Sequence, residues 1–174
     1  MLKPMGYNTA HVGKWHLGVG KDNMYMPTNQ GFDYYYGIPY THSWCPHFVC
    51  FYPNEPCDPV KDSTLTQPGC PVFRDTTIVE QPADFTTLSV KYSKEARAWV
   101  GQQAKANKPF FLYYAFHQPH VPNFAGEMFR NATDRGVYGD MIAEMDWMVG
   151  EILKELRIQG IERETLVLFT SDNG

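Results

Sequence analysis

Apolar residues recur at helical spacing in two stretches of the chain. The first runs from about 87 to 107, with Thr86 or Thr87 as its cap, and the second from about 138 to 159, with Gly160 at its end. Residues three and four apart share one face of a helix, so the spacing predicts two amphipathic helices. The stripes comprise Leu88, Tyr92, Ala96, Trp99 and Val100, then Met141, Ile142, Met145, Met148, Val149, Ile152, Leu153 and Leu156.

Each predicted helix is followed by a continuous apolar run, at 110–116 and at 166–169. Runs without alternation are typical of strands that are buried on both faces. A shorter segment, 7–12, is also predicted to be extended. The order helix then apolar strand, found twice, predicts an α/β fold with a largely parallel sheet flanked by helices.

A long segment from about 24 to 82 lacks these patterns and contains most of the prolines. All four cysteines lie within it, which predicts an irregular excursion stapled by disulfides at about 40–82. Zinc bound by cysteines with His42 and His47 is the alternative, ranked lower because the spacings are not those of zinc ribbons. Four cysteines permit three pairings. They are Cys45, Cys50, Cys57 and Cys70.

Composition restricts the classes of partner. The 174 residues are 43% apolar, enough for one domain with a sizeable core, and the net charge of -4 gives no basic patch for nucleic acid. No apolar run approaches the roughly 20 residues of a membrane span, and the first residues do not resemble a signal peptide. The sequon at Asn131 agrees with the cysteines in indicating a secreted glycoprotein.

The candidate chemistry lies in three polar segments. In Gly13-Lys14-Trp15-His16-Leu17-Gly18, a lysine and a histidine two apart would face one ligand if the segment is extended. The predicted strands lead into the other two segments, 117–122 and 171–174, and ligands of open α/β sheets bind beyond the carboxyl ends of strands. Asp172 and Asn173 offer the oxygen ligands that Ca²⁺ or Mg²⁺ prefers. The alternatives are a solvated turn, a polar loop and a plain Asp-Asn-Gly turn.

The segment from Gly6 to Gly18 resembles the second signature of the sulfatase family. Further segments resemble that family in the same order, and the overall similarity is to its lysosomal arylsulfatases. These segments are Gln30-Gly31-Phe32-Asp33, Gly37-Ile38-Pro39-Tyr40, Pro109 to Tyr114 and Asp172-Asn173-Gly174. The resemblance implies an alkaline-phosphatase-like core, of which residues 1–174 would be a partial catalytic domain.

The resemblance also implies hydrolysis of a sulfate ester on a small molecule, glycolipid or glycan, in a lysosomal or secreted protein. It assigns Ca²⁺ as the metal, with Mg²⁺ ranked second, and disulfides Cys45 to Cys70 and Cys50 to Cys57. The implied site residues are Lys14, His16 and His120 for catalysis, Lys14, His120 and Thr41 for substrate, and Asp172 and Asn173 for metal.

One feature of sulfatases does not occur in these residues. The family forms its formylglycine nucleophile from a Cys/Ser-x-Pro/Ala-x-Arg motif, and the segment from Cys70 to Arg74 has Val72 at the third place. Formylglycine is therefore expected in a longer parent chain, and the isolated 174 residues are expected to be inactive. Two other readings remain open, namely a noncatalytic truncated binding protein and a phosphodiesterase or phosphatase of the same superfamily.

Overall fold

A computed structural model of the protein describes residues 2–42, 70–121 and 123–172. In this part of the chain, five strands form one sheet and two α-helices pack against it. The elements are β1 (Asn8–Gly13), β2 (Tyr34–Gly37), β3 (Val72–Arg74), β4 (Thr77–Glu80), α1 (Leu88–Lys105), β5 (Phe110–Ala115) and α2 (Gly136–Ile158). Short 3-10 turns lie at Lys3–Met5, Lys21–Asn23, Pro27–Asn29, Glu127–Phe129 and Glu162–Glu164.

The sheet has the strand order β4-β3-β2-β1-β5 and confirms the predicted α/β class. β1 pairs in parallel with both β2 and β5, and Ala10 lies between Tyr34 and Leu112 in register. β3 and β4 add an antiparallel hairpin at the other edge. This hairpin lies in a segment predicted to be irregular, because strands of three and four residues are too short to show a pattern. The carboxyl ends of β1, β2 and β5 share one edge.

Both helices pack on the same face of the sheet, and each does so through its predicted apolar stripe. All five predicted stripe residues of α1 are buried, and those of α2 are buried or half-buried. Arg97 of α1 donates to Glu155 of α2 at 3.1 Å and also pairs with Glu151. Thr87 takes the cap position without a cap bond; its hydroxyl donates instead to the Asp84 carboxylate at 2.8 Å. Neither helix is long and apolar enough to cross a bilayer, among the residues described.

The opposite face of the sheet is covered by the segment between β1 and β2. Met26, Tyr35 and Phe73 form a buried cluster there, against which Trp15 packs. The Asp33 carboxylate accepts hydrogen bonds from the backbone N–H and hydroxyl of Thr9, both at 2.9 Å. The Gln30 to Asp33 segment therefore has a structural role, which is to fix the start of β2 beside β1.

Two details of the predicted strands are wrong. β5 forms as expected, but Phe111 and Tyr113 are exposed, and the face toward the helices is half-buried. The run 166–169 forms no strand with the described residues, and its four side chains are exposed. An apolar run becomes a strand only where a neighbouring strand offers backbone partners. Here the described chain offers one ring contact, between Phe169 and Phe116.

Met148 tests the packing between α2 and the sheet. Its side chain has no exposed surface, whereas Met128 is 65% exposed. Met148→Ala should lower the free energy of unfolding by about 2 to 5 kcal/mol, because it removes buried contacts and leaves a cavity. Met128→Ala should change it by less than about 0.5 kcal/mol. Urea unfolding of both variants measures this, and equal losses would contradict the packing.

Candidate functional site

The Lys14-Trp15-His16 turn continues β1 between the ends of its two neighbours. Each of its backbone N–H groups donates to a carbonyl of an adjacent strand end: Lys14 to Ala115 (3.0 Å), Trp15 to Ile38 (3.0 Å) and His16 to Pro39 (3.1 Å). The indole N–H of Trp15 donates to the Tyr25 carbonyl at 2.7 Å. The turn is therefore fixed by backbone bonds on both sides.

Two glycines allow the strand ends to approach this closely. A Cβ atom on Gly13 would lie 1.8 Å from the Ala115 carbonyl oxygen, and a Cβ atom on Gly37 would lie 1.8 Å from the Gly13 oxygen. Gly13 also has φ of 118°, a conformation that favours glycine. The glycine that opens the Lys-Trp-His segment is thus required by backbone contact.

Four of the predicted site residues come together beyond these strand ends. Partial burial lowers the pKa of His16, the charges of Lys14 and His120 lower it further, and Asp172 opposes them. His16 therefore lies within electrostatic range of all three. His16 has φ of 68°, so Lys14 and His16 lie in a turn after the strand and not in an extended segment.

A cluster of aromatic rings lies beside His120. The His120 ring meets His42 edge-on at a centroid distance of 5.4 Å, and His42 meets His117 at 5.8 Å. His117 is 1% exposed and stacks on Phe124 at 5.4 Å. Burial first, and then the charges of His42 and Lys14, hold the pKa of His117 well below its usual range. This imidazole is therefore neutral near neutral pH.

A buried carboxylate anchors the loop that carries His117 and His120. Glu144 of α2 is 1% exposed and accepts a hydrogen bond from the Gly126 N–H at 2.9 Å. Burial raises its pKa, while hydrogen bonds from Gly126, Ser89 and Gln118 act against that rise. Gln118 in turn donates to the Ser89 hydroxyl at 2.9 Å. Both helices therefore hold the loop through buried polar contacts.

The remaining predicted site residues have different outcomes. Thr41 is 2% exposed, and its contact with substrate stays a prediction. Asn173 lies outside the described residues, as do Cys45, Cys50 and Cys57. Cys70 is buried and disulfide-bonded. The cysteine pairing and His47, the other histidine of the zinc alternative, also fall outside the described part of the chain.

The predicted divalent-cation site involves Asp172, which is exposed and interacts with His16. Its carboxylate is of the hard oxygen type that Ca²⁺ prefers. Ca²⁺ takes six to eight oxygen ligands, and the described chain holds no group of three acidic, histidine or cysteine side chains arranged for a metal. A carboxylate is the donor type that suits Ca²⁺, and the role of Asp172 as a metal ligand stays a prediction.

Sequence reasoning gave no role to His11, His117 and Glu144. His117 stood in the polar segment after β5, but nothing in the pattern distinguished a buried imidazole from an exposed one. Glu144 interrupts the apolar stripe of α2, and a carboxylate within a stripe is a signal that can be read from sequence. His11 lies in a segment predicted to be extended, where a single polar residue has no distinguishing pattern.

Comparisons with known proteins agree on one family. A family model described as Sulfatase matches residues 1–174. Arylsulfatase A of Homo sapiens is 38% identical over 176 residues, covering 100% of this chain and 34% of that protein. N-acetylgalactosamine-6-sulfatase of Rattus norvegicus is 36% identical over 183 residues, covering 100% and 32%. The chain thus spans about a third of the length of the curated relatives that it matches.

The fold has a solved counterpart. The crystal structure of PsFucS1 sulfatase from Pseudoalteromonas sp. matches with a TM-score of 0.70 and 25% identity. That match covers 91% of this chain and 34% of the other. The mixed sheet and its two helices are therefore a recognised part of a larger known architecture.

Gly13→Ala tests the backbone contact at the strand ends. The new Cβ atom would collide with the Ala115 carbonyl, so we expect a loss of about 3 kcal/mol or more in the free energy of unfolding. Gly150→Ala is the matched control, because Gly150 lies in α2 with nothing within 4 Å of an added Cβ atom. It should stabilise the protein by up to about 1 kcal/mol. Equal stabilities in urea unfolding would refute the contact.

Proposed function

The chain belongs to the sulfatase family, and from that premise we propose that it forms part of a sulfuric ester hydrolase. The observation that carries the proposal is the convergence of Lys14, His16, His120 and Asp172 at the carboxyl edge of the sheet. One cation, two imidazoles and one carboxylate within electrostatic range suit an anionic ester. The edge is also where ligands bind in open α/β sheets.

Lys14 is the anion-binding group in this proposal. Its ammonium is a compact cation with three donors, which suits the oxygens of a sulfate group. Its backbone N–H is held by Ala115, so the side chain starts from a fixed position. Charge that develops on the sulfuryl oxygens during ester cleavage would be stabilised by such a preorganised donor.

His16 and His120 are the proton-handling groups. Both are exposed, so both can reach a substrate at the edge. The lowered pKa of His16 keeps its imidazole neutral at a more acidic pH than an ordinary histidine, and a neutral ring can either accept or donate a proton. His120 donates from Nδ1 to the Val121 carbonyl, which leaves Nε2 for the substrate.

We assign Asp172 and Asn173 as two ligands of a divalent cation, with Ca²⁺ preferred over Mg²⁺. A cation bound there would supply positive charge to the sulfate oxygens. Asp172 raises the pKa of His16, so the carboxylate is close enough to influence the imidazole directly. The formylglycine nucleophile of the family would come from residues outside these 174.

The proposed substrate is a sulfate ester carried by an aryl compound, a glycolipid or a glycan. Two names among the relatives support this range, since one acts on aryl sulfates and the other on a sulfated amino sugar by its name. The net charge of -4 gives the chain no long-range attraction for polyanions. Recognition of the sulfate group would therefore rest on local contacts at the edge.

The protein is proposed to be lysosomal or secreted. The disulfide-bonded Cys70 is compatible with an oxidising compartment. Asn131 is exposed, and its loop is fixed because the Asp140 carboxylate accepts the backbone N–H groups of Asn131 and Thr133, both at 2.9 Å. A fixed, exposed asparagine in a sequon suits N-glycosylation.

The proposed roles of Lys14 and Asp172 can be distinguished in the protein expressed from its complete natural reading frame. Lys14→Ala should lower kcat/KM for nitrocatechol sulfate by about 100- to 1,000-fold, since it removes a donor to the transition state, and added Ca²⁺ should not restore activity. Asp172→Ala should weaken Ca²⁺ binding, and high Ca²⁺ should restore part of the activity. The measurement is activity as a function of Ca²⁺ concentration.

Two controls complete this experiment. Lys105→Ala removes an exposed lysine in the last turn of α1 and should leave kcat/KM unchanged. Nitrophenyl phosphate in place of the sulfate ester tests the phosphatase alternative. Preference for phosphate, or near-native activity of Lys14→Ala, would overturn the proposed roles.

Peptide mapping tests the secretory assignment. Oxidised protein digested without reductant should yield the linkages that the family resemblance implies, Cys50 to Cys57 and Cys45 to Cys70, which would stabilise the protein by restricting its unfolded chain. The same map should show a glycan on Asn131 in protein from a eukaryotic secretory host. Four free thiols, or stoichiometric zinc, would contradict the assignment.

A further inference from the structure

His11 lies directly beneath the turn that carries Lys14. Its side chain has no exposed surface, and it points to the face of the sheet opposite the helices. Four aromatic rings enclose it, with centroid distances of 5.0 to 5.4 Å. These rings belong to Trp15, Phe32, Tyr35 and Tyr113.

One hydrogen bond joins this imidazole to the site. His11 Nε2 lies 3.0 Å from the backbone carbonyl oxygen of Lys14. A carbonyl oxygen can only accept, so Nε2 carries the proton and Nδ1 is left with its lone pair. Nδ1 is buried and has no partner among the described residues. The single bond to Lys14 is therefore the one polar contact that this ring makes in the described chain.

The enclosure keeps the imidazole in this neutral form. Burial lowers the pKa of His11 to about 4, and the bond to the Lys14 carbonyl opposes that shift only in part. Tyr35 and Tyr113 are the titratable residues among its ring contacts. A neutral ring places no second positive charge behind the Lys14 ammonium, and its donor remains directed at the carbonyl.

We propose that His11 is a positioning residue for Lys14, holding the peptide group from which the Lys14 side chain extends toward its anion. With this bond both backbone polar groups of Lys14 are paired, because its N–H donates to the Ala115 carbonyl at 3.0 Å. Without the donor, the Lys14 carbonyl loses this hydrogen bond, and only the backbone N–H bonds of Lys14, Trp15 and His16 to the neighbouring strand ends still hold the turn. The inference rests on the proposed function, in which Lys14 binds the sulfate group.

The competing explanation is that His11 only fills space in the core. Variants that keep or remove the N–H donor distinguish this packing role from the positioning role. His11→Gln retains a neutral N–H donor on a side chain of similar reach, whereas His11→Leu fills similar volume without a donor. Both lose the aromatic contacts of the imidazole. Tyr113→Leu removes one ring of the enclosure and leaves the bond to Lys14 in place.

The experiment uses the protein expressed from its complete natural reading frame, with nitrocatechol sulfate as substrate and inorganic sulfate as the binding probe. His11→Leu should lower kcat/KM by about tenfold or more and weaken sulfate binding by a similar factor, because the misplaced Lys14 no longer meets the anion. His11→Gln should stay within about threefold of the wild-type protein. Tyr113→Leu should lower the melting temperature without a comparable loss of sulfate affinity.

The outcomes separate this inference from the proposed function. Wild-type kcat/KM and sulfate affinity in His11→Leu would overturn the positioning role, as would equal losses in the leucine and glutamine variants. If His11→Leu does not fold, His11→Met is measured in its place. A wild-type protein that binds sulfate but does not hydrolyse its esters would refute the proposed function alone, and the comparison of sulfate affinities would then decide the role of His11.

Discussion

The close approach of three strand ends is the contact on which the site depends. Gly13 lies so near the Ala115 carbonyl, and Gly37 so near the Gly13 carbonyl, that neither position has room for a Cβ atom. This approach lets the turn after β1 bond to both neighbouring strands. A Cβ atom at either glycine would push the strands apart and break the backbone hydrogen bonds that hold the turn. The glycines therefore act on the site through the backbone.

The helices fix the loop after β5, which carries His117 and His120. α1 and α2 cover one face of the sheet, and the contacts of Ser89 and Glu144 with Gln118 fix the residues between His117 and His120. A buried carboxylate is costly unless it is hydrogen-bonded, and here it accepts bonds from the loop that it supports. The core and the site are thus coupled by polar contacts as well as by apolar packing.

Periodicity made the helices and the sheet class predictable, because each long element repeats its pattern several times. Resemblance to a family, together with strand order, predicted Lys14, His16, His120 and Asp172 as site residues. The β3–β4 hairpin was not predictable, since three or four residues show no period. The apolar run 166–169 has the composition of a strand but pairs with none of the described strands, because pairing depends on a partner that composition does not reveal. Contacts between residues far apart in the chain, such as that of Gln118 with Ser89, leave no local signal.

The charge distribution explains why the position of single charged groups at this edge matters more for anion binding than the net charge of the chain. The chain carries a net charge of -4, so it does not steer anions from a distance. The low pKa values of His11 and His117 keep both buried imidazoles neutral near neutral pH, so neither adds positive charge beneath the site. In the proposed function, attraction for an anion then falls mainly on the Lys14 ammonium. Such a short-range attraction depends steeply on distance, so in that proposal the hydrogen bonds that fix the Lys14 backbone contribute to recognition.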